Sequence, residues 1–116
     1  MLESGDAAGA VGILEDVTRD EPQNWRAFAH LGVAYARCHR YETAIGALKH
    51  ACELNPAAAN LFYNLGQAYE AAGVPEEAAY AYEQALQVRP DYLIAQNALL
   101  TLRQRIAEDA AASERD

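Results

Sequence analysis

Few residues in this chain could carry chemistry. Cys38-His39 and His50-x-Cys52 supply four metal-competent side chains, the donor types of a tetrahedral zinc site. Zinc requires all four within about 2.3 Å of one ion. Helical spacing separates the two pairs by about ten residues, on the order of 15 Å at 1.5 Å per residue. The spacing therefore predicts no metal site. It also predicts no Cys38–Cys52 disulfide, which needs Cα atoms within about 7 Å. The segment Gly5-Asp-Ala-Ala-Gly9-Ala-Val-Gly12 places glycines ahead of a helical run, where amide hydrogens can cradle a phosphate. No strand precedes it, no Gly-Lys-Ser/Thr follows, and Asp6 would repel the anion, so it reads as a helix start with small packing residues. Glu76-Glu77 offers paired acids, but adjacent helical residues diverge by about 100°. In a first helical turn both carboxylates simply complement the helix dipole. Ser4 and Ser113, the only serines, lie near the ends, and Cys38 has His39 beside it with no third group to orient it. The residues predict no catalytic constellation, no cofactor and no enzyme.

The elements that position these residues follow from composition and pattern. The chain has 116 residues, 52% hydrophobic and 22% charged, enough for one small domain. A net charge of −8 repels nucleic acid and anionic membranes, so neither is expected as a partner. Alanine fills 26 positions and β-branched residues are sparse, which predicts an all-α fold. No apolar run reaches membrane-spanning length and no basic start precedes an apolar stretch, so a soluble, cytoplasmic protein is expected. Lys49 is the single lysine among nine basic residues, an Arg-over-Lys balance that suits a GC-rich bacterial genome.

Sliding the chain by 34 residues aligns 25–58 with 59–92, and ten of the 34 positions are identical. They include Phe28/Phe62, Leu31/Leu65, Gly32/Gly66, Tyr35/Tyr69, Ala44/Ala78, Ala51/Ala85 and Pro56/Pro90. Each unit shows two helical runs separated by a break and closed by proline, so each is a helix hairpin. The helices are predicted near 25–38, 41–54, 59–72 and 75–88. Gly32 and Gly66, with Ala44 and Ala78 opposite, let the two backbones of a hairpin approach closely. Asn55-Pro56 and Arg89-Pro90 end the second helices, because proline lacks an amide hydrogen and disfavours helical geometry in the residue before it. Gly73 suits a left-handed residue closing a first helix; the matching His39 pays for that geometry with a β-carbon.

With its 34-residue period and the pattern W-x2-L-G-x2-Y…A-x3-F…P, the chain resembles the tetratricopeptide repeat. The first helices read Phe28-x2-Leu31-Gly32-x2-Tyr35 and Phe62-x2-Leu65-Gly66-x2-Tyr69, with Phe in the usual Trp place. The second helices carry Ala44-x3-Leu48 and Ala78-x3-Tyr82. The resemblance implies an α-solenoid of antiparallel hairpins in a single domain, 1–107. Extended backwards, the register makes 6–19 a half repeat with Ala10-x3-Leu14, Val17 and Pro22; forwards, Ala95, Leu99, Leu102 and Ile106 mark a capping helix over 92–107. Residues 108–116 are expected to be a flexible acidic tail. Val11, Leu14 and Val17 lack the partner helix the pattern calls for, so the chain is either a fragment of a longer array or self-associates through them, as a homodimer.

In such arrays the first helices line a concave groove that holds peptide segments, and the resemblance implies the same use here. The groove would be lined by Arg26, Ala29, His30, Val33 and Arg37, then by Asn60, Tyr63, Asn64, Gln67 and Glu70, and finally by Ile94, Asn97, Thr101 and Arg105. Three arginines against one glutamate predict an acidic or carboxylate-bearing partner. Chaperone-binding members of the family grip a C-terminal carboxylate with lysines, asparagines and an arginine. Of that set Asn64 is present, whereas Ala29 and Ile94 fill lysine places and Val33 an asparagine place, which argues against that clamp. Three readings stand at this point: an adaptor binding a peptide segment of a partner protein, a self-assembling scaffold, and a non-catalytic arm of a larger enzyme.

Overall fold

The computed structural model describes residues 2–115, with side chains described for 6–114. Met1, Asp116 and the side chain of Ser4 lie outside the described residues. Six helices follow one another: α1 (Leu2–Asp20), α2 (Trp25–Arg37), α3 (Tyr41–Leu54), α4 (Ala59–Ala71), α5 (Pro75–Val88) and α6 (Leu93–Arg115). No strand occurs among the described residues, and no described helix is long and apolar enough to cross a membrane. Each helix packs on its neighbours in sequence, and α2 also meets α4, so the hairpins α2–α3 and α4–α5 stack side by side between α1 and α6.

The turns between the helices are chemically specified. Asn24 caps α2, its side-chain oxygen accepting from the Ala27 N–H at 3.0 Å. Pro75 opens α5 at a position whose amide hydrogen would have no helical partner, and Glu76 and Glu77 occupy its first turn. Both inner hairpins close with the same C-terminal motif. His39 takes φ 62° and Gly73 φ 81°. The following amides, Arg40 N–H and Val74 N–H, each donate at 2.9 Å to the carbonyls of Tyr35 and Tyr69. Asn55 and Arg89, both ahead of proline, leave helical space at φ −138° and −140° and end α3 and α5.

Within each hairpin a glycine faces a bulky residue. A β-carbon at Gly32 would lie 2.5 Å from Cγ of Leu48, and one at Gly66 would lie 2.5 Å from Cε1 of Tyr82. The glycines thus seat a large side chain of the second helix against the backbone of the first. Leu48 and Tyr82 are each 1% exposed there, among the most buried side chains in the molecule. Leu61, Leu65 and Ala68 of α4 meet Leu48, Ala51 and Cys52 of α3 in a continuous core. At the C-terminal end, Leu99 and Leu102 of α6 pack with Ala78 and Tyr82 while Ile106 covers their edge.

Three expectations are corrected. Residues 108–115 are not a flexible tail but continue α6, which reaches Arg115. The run Ala107-Glu-Asp-Ala-Ala-Ala-Ser-Glu-Arg115 is rich in the best helix former and contains no glycine or proline to stop it. At the other end, the Gly5–Gly12 segment lies inside α1 rather than at its start, and α1 runs beyond the expected 6–19 to Leu2–Asp20. Val11 does not lack a partner: it is buried with Leu31, Ala34, Tyr35 and Ala44, and Leu14 packs at the edge of that cluster. Helix α2 of the next repeat covers one flank of α1, so only the other flank stays open.

Candidate functional site

The face formed by α1, α2 and α4 carries two adjoining cavities that share a wall on α2. One, about 280 Å³, lies between α2 and α4 over a floor from α3: Val33, Ala36 and Arg37 form one side, Asn64, Gln67, Ala68 and Ala71 the other, with Tyr41 and Leu48 beneath. The second, about 560 Å³, lies between α1 and α2 and is bounded by His30, Val33 and Arg37 on α2 and by Ala7, Ala10, Ile13 and Leu14 on α1. Val33 and Arg37 line both. The result is one groove, apolar at its base and bordered by amides, an imidazole and a guanidinium.

Of the residues expected in the groove, His30, Val33, Arg37, Asn64 and Gln67 are brought together. Ala29 is not among them. It is buried against Leu48, Leu61 and Leu65, because its position on α2 faces α4 and not the open side. Arg26 and Asn60 are exposed but border neither cavity; the Arg26 guanidinium lies 4.6 Å from the Trp25 ring, beside the α1–α2 turn. Tyr63 is packed rather than free, its ring 5.7 Å from that of Tyr82 and 5.9 Å from that of Tyr92, and its hydroxyl accepts from Gln67 Nε2 at 2.9 Å. Ile94, Asn97 and Thr101 are exposed on α6 and border neither cavity.

The charge distribution also differs from the expected three arginines against one glutamate. Arg105 reaches across from α6 and donates to Glu70 Oε1 at 2.6 Å, while the Tyr82 hydroxyl donates to the other oxygen of the same carboxylate. That pair is neutral as a unit. The positive charge that remains sits on α2, where Arg37 has no ion pair among the described residues; His30 lies two helical turns before it. Asp6 is the one acid on the cavity lining, across the α1–α2 cavity.

Sequence reasoning missed the floor. Tyr41 and Leu48 come from α3, a second helix, whereas the wall was drawn from first helices alone. Gly32 was the available signal, since a residue without a side chain leaves its bulky partner reachable from the groove. Two tyrosine–carboxylate hydrogen bonds were also missed: Tyr35 to Glu15 Oε2 at 2.5 Å, and Tyr82 to Glu70. Burial first, then these hydrogen bonds, raise both tyrosine pKa values above their ordinary 10.0.

The other candidates stay apart. Cys38 and His39 occupy the α2–α3 turn, where His39 Nδ1 is 2.7 Å from the Tyr41 hydroxyl. His50 stacks edge-on against Phe28 on α2, ring centroids 4.3 Å apart. Cys52 is buried, which pushes its thiol up to about 12. Among the described residues no three histidines, cysteines or acids are grouped to hold a metal ion.

Comparison with known proteins agrees with this geometry. The sequence pattern of the TPR repeat matches residues 38–73, and that of the tetratricopeptide repeat matches 59–92. Human Superkiller complex protein 3 is 28% identical over 92 residues; the match covers 79% of this chain and 6% of that protein, so the chain spans only a small part of its relative's length. Among solved structures, the first TPR of Spaghetti (RPAP3) bound to the HSP90 peptide SRMEEVD superimposes with a TM-score of 0.83 at 25% identity, covering 89% of this chain and 82% of that one. A mutant O-GlcNAc transferase of Thermobaculum terrenum superimposes with a TM-score of 0.76 at 32% identity, covering 86% of this chain and 19% of that one. Two adjoining repeat matches over residues 38–92, on stacked helix hairpins with glycine-seated cores, identify tetratricopeptide repeats in this chain.

Proposed function

We propose that this chain is a non-catalytic interaction module that holds an extended, acidic peptide segment of a partner protein in the groove along α2. The observation that carries the reading is the unpaired Arg37 standing between two apolar-floored cavities, with the amides of Asn64 and Gln67 opposite it. A guanidinium recognises a carboxylate through paired hydrogen bonds. Side-chain amides both donate to and accept from a peptide backbone without reading its sequence. The likeness to a TPR domain bound to a peptide ending in two acids and a terminal aspartate supports the same class of ligand. Without the lysines of a chaperone-tail clamp, this groove would rely on the arginine alone and tolerate internal acidic segments.

Fluorescence anisotropy with the labelled peptide SRMEEVD, and with the same peptide carrying lysines for its acids, tests this. The acidic peptide is expected to bind and the basic one not to. Arg37→Glu should weaken binding about tenfold or more, the scale of one charged hydrogen-bonding group. Asn64→Ala should weaken it less, and Asn60→Ala, outside both cavities, should leave it unchanged. Equal affinity for the two peptides, or indifference to Arg37→Glu, would overturn the reading.

The alternative of a non-catalytic arm within a larger enzyme is favoured by the likeness to a 19% share of the O-GlcNAc transferase structure. An open reading frame running on into a catalytic domain would establish that arrangement, and one encoding only further repeats would dismiss it.

A further inference from the structure

The two cavities along α2 are the same place in successive repeats. Shifted back by 34 residues, the six α3 and α4 residues around the smaller cavity become Ala7, Leu14, His30, Val33, Ala34 and Arg37, and all six line the larger one. What the larger cavity lacks is the wall that α2 gives the smaller one. Its volume is accordingly about 560 Å³ against 280 Å³. Ile13 shows the consequence: it is 69% exposed, while Ala81 at the equivalent place in the complete α4–α5 hairpin is 1% exposed. The open flank of α1 is therefore shaped for one more helix, lying as α2 lies against α3.

The repeat also dictates what that helix must look like. Gly32 and Gly66 stand where a β-carbon would come within 2.5 Å of Leu48 or Tyr82. The helix laid against Leu14, the equivalent residue, must present small side chains. Helix α6 contains such a stretch. Its 23 residues exceed the 13 or 14 of α2–α5, and Ala107–Glu114 are all exposed, extending past the residues that pack on α5. Ala107, Ala110, Ala111 and Ala112 supply small side chains, and Glu108 and Asp109 supply charge opposite to Arg37. The body of α6 is excluded by the same rule, since Leu100 occupies the glycine place.

The end of α6 cannot reach this site in its own chain. Helix α6 packs on α5 through residues before Ala107, at the opposite end of an array 52 Å long from α1. We propose that the projecting end of α6, Ala107–Glu114, docks in the α1–α2 cavity of a second copy of this chain. The contact joins two different surfaces, so each docked pair keeps one free donor end and one free acceptor cavity, and assembly proceeds head to tail into filaments or rings. It stands apart from the peptide-binding reading, although a docked α6 would cover His30 and Arg37 and so compete with a peptide.

Light scattering gives the test. For the wild type, mean mass is expected to rise about twofold or more across a hundredfold concentration range, as open head-to-tail association requires. Ile13→Glu, at an exposed position, closes the acceptor; a chain ending at Ile106 removes the donor. Circular dichroism melts should match the wild type for both, since neither change touches the core. Each variant alone should remain monomeric, and an equal mixture should form a dimer and nothing larger, because it holds one working donor and one working acceptor. A wild type that stays monomeric, a truncated chain that still associates, or a mixture that stays monomeric would each overturn the proposal. Peptide binding by monomeric protein would be unaffected by any of these outcomes.

Discussion

His39 and Gly73 occupy the same place in successive hairpins, and both take a left-handed conformation, at φ 62° and 81°. The β-carbon of His39 is strained there, while its hydrogen bond to Tyr41 is exposed and contributes little. His39→Gly is therefore expected to stabilise the protein by about 1 kcal/mol, a rise of roughly 4 °C in melting temperature. An unchanged or lower melting temperature would show that the imidazole contact outweighs the strain. Glycine elsewhere in the chain gives opposite outcomes for one substitution. Gly46 lies exposed in the middle of α3 with nothing near its would-be β-carbon, so Gly46→Ala should stabilise by about 0.5–1 kcal/mol. Gly66→Ala would drive a methyl into the Tyr82 ring and should destabilise by about 1–3 kcal/mol. Chemical denaturation of the two variants side by side checks the pair, and equal shifts would mean that the close approach of α4 and α5 is unimportant.

At the scale of elements, Tyr82 ties three helices together. Its ring fills the space left by Gly66, and its hydroxyl joins Arg105 of α6 on the carboxylate of Glu70. Its pKa is raised above 10.0 by burial and then by the Glu70 hydrogen bond. Folding thus retains a proton that the unfolded chain releases at its ordinary value. The contribution is complete below pH 10 and is lost as pH rises beyond it. Tyr35 acts in the same direction, as does Cys52, which moves from 9.0 to about 12. Melting temperature should fall from about pH 9 upward, and Tyr82→Phe should flatten that fall; an identical slope in wild type and variant would contradict the assignment. The ends of the four inner helices were legible to within one residue, because capping residues, prolines and the repeat itself mark both ends. The end of α6 was not, since an alanine-rich acidic run suits a tail or a helix equally until something stops it. Arg105 and Glu70 lie 35 residues apart with no pattern to connect them, so a residue read as groove lining proved to be half of a structural pair. Ala29 was misplaced by a small error in helical phase, enough to turn it from the groove into the core.

At the scale of the whole molecule, a chain of net charge −8 keeps an arginine without an ion pair, Arg37, on the α2 wall of its groove. That placement is why an acidic peptide is the proposed ligand, and the α6 proposed to dock from a neighbouring copy would overlap it on the same surface. The family fixes the hairpins and the groove they form. The proposed ligand preference rests on where this sequence departs from the repeated pattern: Arg37 where the next repeat has Ala71, and His30 where it has Asn64. A titration of isotopically labelled protein with the acidic peptide, followed by amide and side-chain NMR shifts, tests the central claim most directly. The account predicts the largest shifts at His30, Val33, Arg37, Asn64 and Gln67. Shifts concentrated instead on the opposite face between α3 and α5, at Lys49, Tyr80 and Gln84, would contradict it.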